Sequence, residues 1–296
     1  VGDIKGKNLI IFGDCRFMEE LPDSSVHLVV TSPPYFNAPF DYPDLFKNYE
    51  DFLSLIKSLA IQLRRVLAPG RIACSVTQDV RVKGKLYPIT SDIMRIFCNE
   101  GFIYRDKIIW KKPEGYIRIS RRSGVLIQHP YPMYFYPDNI YEEILIFQNG
   151  YYKYPKKIDL DSKIDINEFN KKKWYLSVWE IVNVLPNQNS LEKGIAAFPE
   201  EIPYRLIKLY SYKGETVLDP FAGSGTTLKM AIKLGRRAVG YEIDLDLLEV
   251  IKKKLGIGEE RLFKEENFEI IIREDALNLR SHLQKKIKEQ KSVARK

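Results

Sequence analysis

The stretch that most constrains this chain spans residues 215–242. The apolar run Thr216-Val217-Leu218 ends in Asp219, and the turn Pro220-Phe221-Ala222-Gly223-Ser224-Gly225 follows it. Thr226-Thr227 then open a periodic apolar stretch to Leu234. A second apolar run, Ala238-Val239-Gly240-Tyr241, ends in Glu242. Strand, glycine turn, helix N-terminus and second strand form the opening βα unit of a nucleotide-type site, where the glycines let backbone approach a ligand. A lone Gly-x-Gly is weak, but an acid at both strand ends within about 25 residues is far more specific. The acid ending the second strand is the type that holds ribose hydroxyls. There is no Gly-Lys-Thr of a P-loop. Asp219 stands where a dinucleotide site carries glycine; a carboxylate there repels pyrophosphate and accepts from an ammonium group. The unit therefore favours a cationic, aminoacyl-bearing nucleoside.

A second constrained stretch lies near the start. The apolar run Val26-His27-Leu28-Val29-Val30 reads as a buried parallel strand and leads into Thr31-Ser32-Pro33-Pro34-Tyr35. Neither proline donates to a ladder, and the residue before each is pushed towards extended backbone. A stiff rim results, presenting the Ser32 hydroxyl, carbonyl acceptors and the aromatic face of Tyr35. That combination suits a planar group with an exocyclic amine, such as a nucleobase taken out of its stack. An ordinary proline-rich turn with a packing tyrosine is the competing reading of these five residues.

Between and around the two motifs, strand and helix patterns alternate. Strands are expected over 8–12, 26–30, 71–76, 102–110, 141–147, 215–219 and 238–242. Helices are expected over 17–21, 49–67, 89–100 and 226–234. The succession predicts an α/β fold with a doubly wound, mostly parallel seven-stranded sheet. Residues 36–48, rich in aromatics and prolines, read as a loop over the site. No apolar run approaches the roughly 20 residues of a bilayer span, and no signal-peptide pattern stands at the start. Cys15, Cys74 and Cys98 lack metal-ligand spacing and read as buried thiols of a reducing, cytoplasmic setting. The three histidines are too scattered for a metal site.

Lys and Arg number 47 against 39 Asp and Glu, a net +8 that favours a polyanionic partner. Arg105, Lys107, Lys111, Lys112, Arg118, Arg121 and Arg122 cluster against two acids, and Gln128 with a proline–aromatic run to Pro137 follows. Basic residues, an amide and aromatics make a nucleic-acid surface, with Lys111, Lys112, Arg118, Arg121, Arg122 and Gln128 as candidate contacts. A solvated basic face and a loop packed on the sheet are the plainer readings. Residues 150–179, polar and lysine-rich, read as inserted rather than core.

With both motifs in view, the chain resembles the amino-group DNA methyltransferases that use S-adenosyl-L-methionine. The residues that carry the resemblance are Asp219-Pro-Phe-Ala-Gly-Ser-Gly-Thr-Thr227 and Thr31-Ser-Pro-Pro-Tyr35, with Ala197-Phe198-Pro199 as the approach to the first. The catalytic motif precedes the cofactor motif, which is the family's permuted β arrangement, and the resemblance covers roughly residues 8–256. It implies a catalytic half over 1–112, a target-recognition insertion over 113–180, a cofactor half over 181–258, and a last strand and basic tail over 259–296. Although about 190 residues separate the motifs in sequence, the family's sheet order brings their strands side by side.

The resemblance further implies roles. Ser32 and the Pro33 carbonyl accept from the amine of a flipped base, Pro34 stiffens the rim, and Tyr35 stacks on the base. Thr31, Phe198, Asp219, Pro220, Phe221, Gly223, Ser224, Gly225, Thr226 and Thr227 form the cofactor side, and Glu242 holds the ribose. Asp14 or Asp275 contacts the cofactor adenine, with Asp14 preferred. No cysteine follows a proline, which excludes the carbon-5 chemistry of cytosine. Ser-Pro-Pro-Tyr is typical of cytosine N4 and Asp-Pro-Pro-Tyr of adenine N6, so N4-cytosine is favoured and N6-adenine stays open. Duplex DNA is the implied partner; whether a cognate restriction endonuclease accompanies the enzyme stays open, as do monomer and homodimer. An RNA-base methyltransferase and a non-catalytic DNA-binding subunit are the competing functions.

Overall fold

The computed structural model of the protein describes residues 7–37, 45–113, 123–153, 159–183, 198–257 and 268–279. The chain begins with β1 (Asn8–Phe12) and β2 (Val26–Thr31), then α1 (Tyr49–Val66) and β3 (Leu67–Thr77). A hairpin of β4 (Val80–Val82) and β5 (Lys85–Tyr87) precedes α2 (Ile89–Asn99) and β6 (Ile103–Lys111). Next come α3 (Ser123–Gln128), β7 (Tyr141–Gln148), α4 (Ile166–Lys171) and β8 (Val178–Glu180). The described chain ends with α5 (Glu201–Tyr210), β9 (Thr216–Asp219), α6 (Thr226–Lys233), β10 (Arg237–Glu242), α7 (Leu248–Leu255) and β11 (Phe268–Ile272).

All seven expected strands form, and among the described residues β8 and β11 widen the sheet to nine in the order β11-β1-β10-β9-β2-β3-β7-β6-β8. Among the described strands of this sheet, β7 alone runs against its neighbours, β3 and β6, and the other pairs are parallel. The chain winds outward from β2 through α1 to β3, and outward the opposite way from β9 through α6 to β10. The β2–β9 seam is therefore the topological switch point, the place where open α/β sheets bind ligands. One apolar layer lies under α1 and α2, with Phe52, Ile56 and Ile93 against Val29 and Leu145. The other lies under α5, α6 and α7, with Leu206, Leu228 and Ile251 against Leu28 and Val30.

Three local expectations differ. The helix expected over 17–21 is a series of turns, with Phe17 N donating to Asp14 O and Leu21 N to Met18 O. Arg273 donates to the Phe17 carbonyl, the acceptor that the Leu21 amide would need in a helix, and Pro22 has no amide to give Met18 O, which instead accepts from Arg65 and Leu21 N. Strand β3 starts before Pro69-Gly70 rather than after it, because the ladder shifts register beside Val26 and Gly70 adopts φ +79°. The Tyr152 backbone passes so close to Gly70 that a Cβ would meet it at 2.4 Å, which leaves room only for glycine. Cys98 is exposed on α2, whereas Cys15 and Cys74 are buried as expected.

The reading of 150–179 as an insertion off the core also needs correction. Its last part is built into the scaffold: β8 pairs with β6, and Trp174 and Trp179 are buried against the Arg205 guanidinium of α5. Glu168 on α4 accepts from Tyr204 and Lys208 of α5. Among the described residues, no helix is long and apolar enough to cross a membrane.

Candidate functional site

The carboxyl ends of β2 and β9 are joined directly. The Thr31 hydroxyl donates to Asp219 Oδ1 at 2.7 Å, a bond that links positions 188 residues apart in sequence. Phe221 N donates to the same oxygen at 3.1 Å. Thr227, at the start of α6, turns its hydroxyl to Val30 O, closing the seam from beneath. Burial pushes the Asp219 carboxyl up to about 7, against the hydrogen bonds from Thr31, Thr227 and Phe221 that pull it down. A buried carboxylate served only by neutral donors is a place for a cation.

Around this seam lies a cavity of about 610 Å³, a size typical of ligand sites. Ser32, Pro33, Pro34 and Tyr35 line one part of it; Asp219 to Ser224, Thr226, Thr227 and Glu242 line another. Gly225 sits behind the lining at φ +86°, capping α6 in a left-handed conformation that a side chain would strain. Ser224 and Thr226 carry a further burden, for both hydroxyls accept from Lys254 Nζ on α7, at 2.7 and 3.0 Å. Glu242 is oriented by backbone: Gly223 N donates to Oε2 at 2.7 Å and Asp244 N to Oε1 at 3.0 Å. Thr31 does not line the cavity. It stands behind Asp219 and holds it, so its expected place on the cofactor wall is corrected to a supporting one.

Asp14 and Asp275 stand at different depths. Asp14 lines the cavity beside Cys15 and Arg16, and Arg16 Nε donates to its carboxylate at 2.8 Å. Asp275 lies behind, where Oδ2 accepts from Asp14 N and from Arg273. Phe198 also lines the cavity. Cys15 does too, but burial raises its thiol well above the usual range, which makes it a poor nucleophile.

Sequence reasoning missed part of the wall. Asp51, Ser54 and Leu55 line the cavity from α1, whereas Leu45, Phe46 and Lys47 line it from the loop that was expected over the site. Residues 38–44 of that loop lie outside the described residues, but its base is fixed: the Asn37 side chain donates to Phe46 O and accepts from Phe46 N. The i, i+3, i+4 spacing of Asp51, Ser54 and Leu55 was the available signal for one helical face.

Tyr35 is 6% exposed and donates from its hydroxyl to Glu142 Oε2 at 2.8 Å, while Lys112 Nζ donates to Glu142 Oε1 at 2.6 Å. Lys112 is therefore a largely buried ion-pair partner inside the protein, not an open cation for phosphate, and its expected role is corrected accordingly. Lys111 faces Glu180 of β8 at 3.0 Å. Gln128 is exposed at the end of α3; Arg118, Arg121 and Arg122 lie outside the described residues, as does the basic tail. Segment 112–140 leaves β6 at its carboxyl end, the same edge as Ser32 and Asp219, and Lys112 N to Ile140 O closes its neck.

Comparison with known proteins agrees with this geometry. The family model described as DNA methylase, for N6 and N4 methyltransferases, matches residues 26–253. The type II methyltransferase M.MjaI of Methanocaldococcus jannaschii is 37% identical over 92% of this chain and 98% of its own length. M.MthZI of Methanothermobacter thermautotrophicus, also a type II methyltransferase, is 30% identical over 86% of this chain and 78% of its own. Among solved structures, TTHA0409 of Thermus thermophilus in complex with S-adenosyl-L-methionine superposes with TM-score 0.68. It is 27% identical and covers 89% of this chain and 99% of that one. The cytosine-N4-specific PvuII DNA methyltransferase, at 17% identity and TM-score 0.62, shares the fold over 90% of this chain and 95% of its own. The cavity's size, its buried carboxylate in want of a cation and the oriented Glu242 fit a sulfonium nucleoside bearing an ammonium group. This chain belongs to the S-adenosyl-L-methionine-dependent DNA methylases that modify exocyclic amino groups.

Proposed function

We propose that this protein methylates the exocyclic N4 amino group of a cytosine turned out of duplex DNA. The observation that carries the reading is the 2.7 Å bond from Thr31 to Asp219, since it joins the serine–proline rim and the glycine turn around one cavity. Ser32 and the Pro33 carbonyl accept the two amine hydrogens, which aims a nitrogen lone pair otherwise delocalised into the ring. Pro34 keeps the rim rigid, and Tyr35 offers the base an aromatic face. Asp219 receives the ammonium group, Glu242 the ribose hydroxyls and Asp14 the adenine amine; Pro220, Phe221, Gly223 and Phe198 supply the remaining wall. Bound there, S-adenosyl-L-methionine would supply an electrophilic methyl group. Acceleration comes largely from positioning.

Segment 113–140 is the part of the insertion we assign to target recognition. Ile127, Tyr131, Met133 and Phe135 are all exposed on it, Met133 to 91%, and it leaves the sheet at the edge that carries the cavity. Such a concentration of exposed large apolar side chains marks a binding surface. A companion endonuclease reading the same site belongs to this reading, as does the choice of DNA over RNA. The test is incubation with methyl-labelled S-adenosyl-L-methionine and DNA, followed by nucleoside mass spectrometry. N4-methylcytosine is the expected product. N6-methyladenine would overturn the choice of base, and label confined to RNA would overturn the choice of polymer.

A further inference from the structure

We infer that Glu142 is a positioning residue for Tyr35, and that with Lys112 it forms a strut between the catalytic rim and the neck of segment 113–140. The inference rests on the reading of Tyr35 as the face that receives the target base. Glu142 sits near the start of β7 and is only 7% exposed. Its two oxygens have separate duties: Oε2 accepts from the Tyr35 hydroxyl, and Oε1 from the Lys112 ammonium. Tyr35 lines the cavity, so the bond at its far end holds the ring in place without using the ring faces.

A phenol bonded to a carboxylate is a charge-assisted contact, stronger and more directional than apolar packing alone. A tyrosine has two side-chain torsions between backbone and ring. Its backbone is held by the adjacent prolines, and the Glu142 bond fixes the remaining freedom at the ring's tip. A stacking platform fixed at both ends does not have to be ordered when the base arrives.

The placement of Lys112 extends this beyond one side chain. Lys112 N bonds Ile140 O where segment 113–140 leaves the sheet, and Trp110 pairs with Glu142 across β6 and β7. The Lys112 ammonium also lies 5.0 Å from the centre of the Trp110 ring, and Trp110 is anchored through Nε1 to Ile181 O. The strut thus starts at the neck of the segment assigned to recognition and ends on the residue assigned to receive the base. A strain at the neck has a short, buried and polar route to the catalytic rim.

The experiment is a double-mutant cycle of Tyr35→Phe and Glu142→Leu, with Glu142→Gln as the conservative variant. Each protein is measured for turnover at saturating DNA and cofactor, and for cofactor affinity by titration. Tyr35→Phe keeps the ring and removes only the tether. It is expected to lower turnover by about 10-fold, well inside the cost of a small misplacement, with cofactor affinity unchanged. Glu142→Leu is expected to lose as much, the double variant no more than the worse single one, and Glu142→Gln to regain most of the rate. Additive losses, a loss confined to cofactor affinity, or full turnover in Tyr35→Phe would overturn the inference. If Glu142→Leu does not fold, Tyr35→Phe and Glu142→Gln still decide it. A wild-type protein that methylates no DNA would instead overturn the functional reading on which the strut depends.

Discussion

The β2–β9 seam and the β7–β6–β8 edge both carry charge into the sheet, and they treat it in opposite ways. At the seam, burial raises the Asp219 carboxyl to about 7 against the bonds from hydroxyls and an amide that pull it down. At the edge, lysines meet acids on neighbouring strands: Lys107 with Glu143, Lys112 with Glu142, Lys111 with Glu180. Along this edge, lysines balanced by acids on other strands belong to the scaffold, whereas the buried Asp219 carboxyl, bonded to neutral donors, suits a cationic ligand. Counting basic residues along the chain could not make that distinction, because the balancing acids lie on other strands.

The largest expected effects come from the seam. Ser32→Ala should lower turnover by roughly 10²–10³-fold while cofactor affinity holds, since it removes an acceptor used only on the amine. Asp219→Asn should do the reverse and abolish cofactor binding. Titration of cofactor and single-turnover methylation on the same preparations would separate the two. Loss of both properties in Ser32→Ala would break the division between rim and cofactor wall.

The raised Asp219 carboxyl gives the seam a pH signature that the edge lacks. An ammonium ligand prefers the ionised carboxylate, so cofactor affinity should weaken as pH falls below about 7, by up to tenfold per unit. Stability of the cofactor-free protein runs the other way. A carboxyl whose folded value exceeds its unfolded one binds more protons when folded, so its contribution is full at low pH and is lost as pH rises through about 7. Cofactor-free Asp219→Asn should therefore melt higher than wild type at pH 8, by about 2–4 °C for each kcal/mol of relief. A lower melting temperature would show the carboxylate to be a structural partner instead.

Thr31→Val sharpens the same point with a smaller effect. The hydroxyl pulls the Asp219 carboxyl down, so its removal should move the midpoint of the affinity profile above about 7. Stability should fall by about 1–3 kcal/mol for the acceptor left without its donor. An unmoved midpoint would mean that Thr31 only fills space.

Much of this site was legible because its logic is local. Asp219 followed by Gly223 and Gly225, and Ser32 before two prolines, are short patterns whose geometry depends on backbone rules within a few residues. The sheet's seven central strands followed from apolar runs in the same way. The remainder depended on distant partners. At 17–21 the distant Arg273 takes the Phe17 carbonyl that the Leu21 amide would need in a helix. Trp179 enters the core because β8 finds β6 across a lysine-rich stretch. The β4–β5 hairpin was readable and overlooked: Val80, Val82, Leu86 and Tyr87 flank Lys83-Gly84, whose φ values of +47° and +84° suit a tight primed turn. Glu142 was readable too, as one of two acids opening an otherwise apolar strand, yet only the fold places it against Tyr35.

The edge supplies the finest test of the comparison. If balanced lysines belong to the scaffold, cations that read DNA must lie elsewhere, and Arg118, Arg121 and Arg122 are the sequence candidates. Replacing all three with alanine should weaken DNA binding at every sequence and lower the salt slope by about 0.9 for each phosphate no longer neutralised. Cofactor affinity should not move. Lys111→Met carries the smallest expectation. Its pair with Glu180 joins two exposed side chains, so stability should change by less than about 1 kcal/mol, and the salt slope should stay where it is. Affinity and slope measured across a range of salt decide the matter. A slope that falls in Lys111→Met by the amount due to a single phosphate would mean that Glu180 yields the lysine to DNA, and that a partner on a neighbouring strand does not by itself withdraw a cation from the duplex.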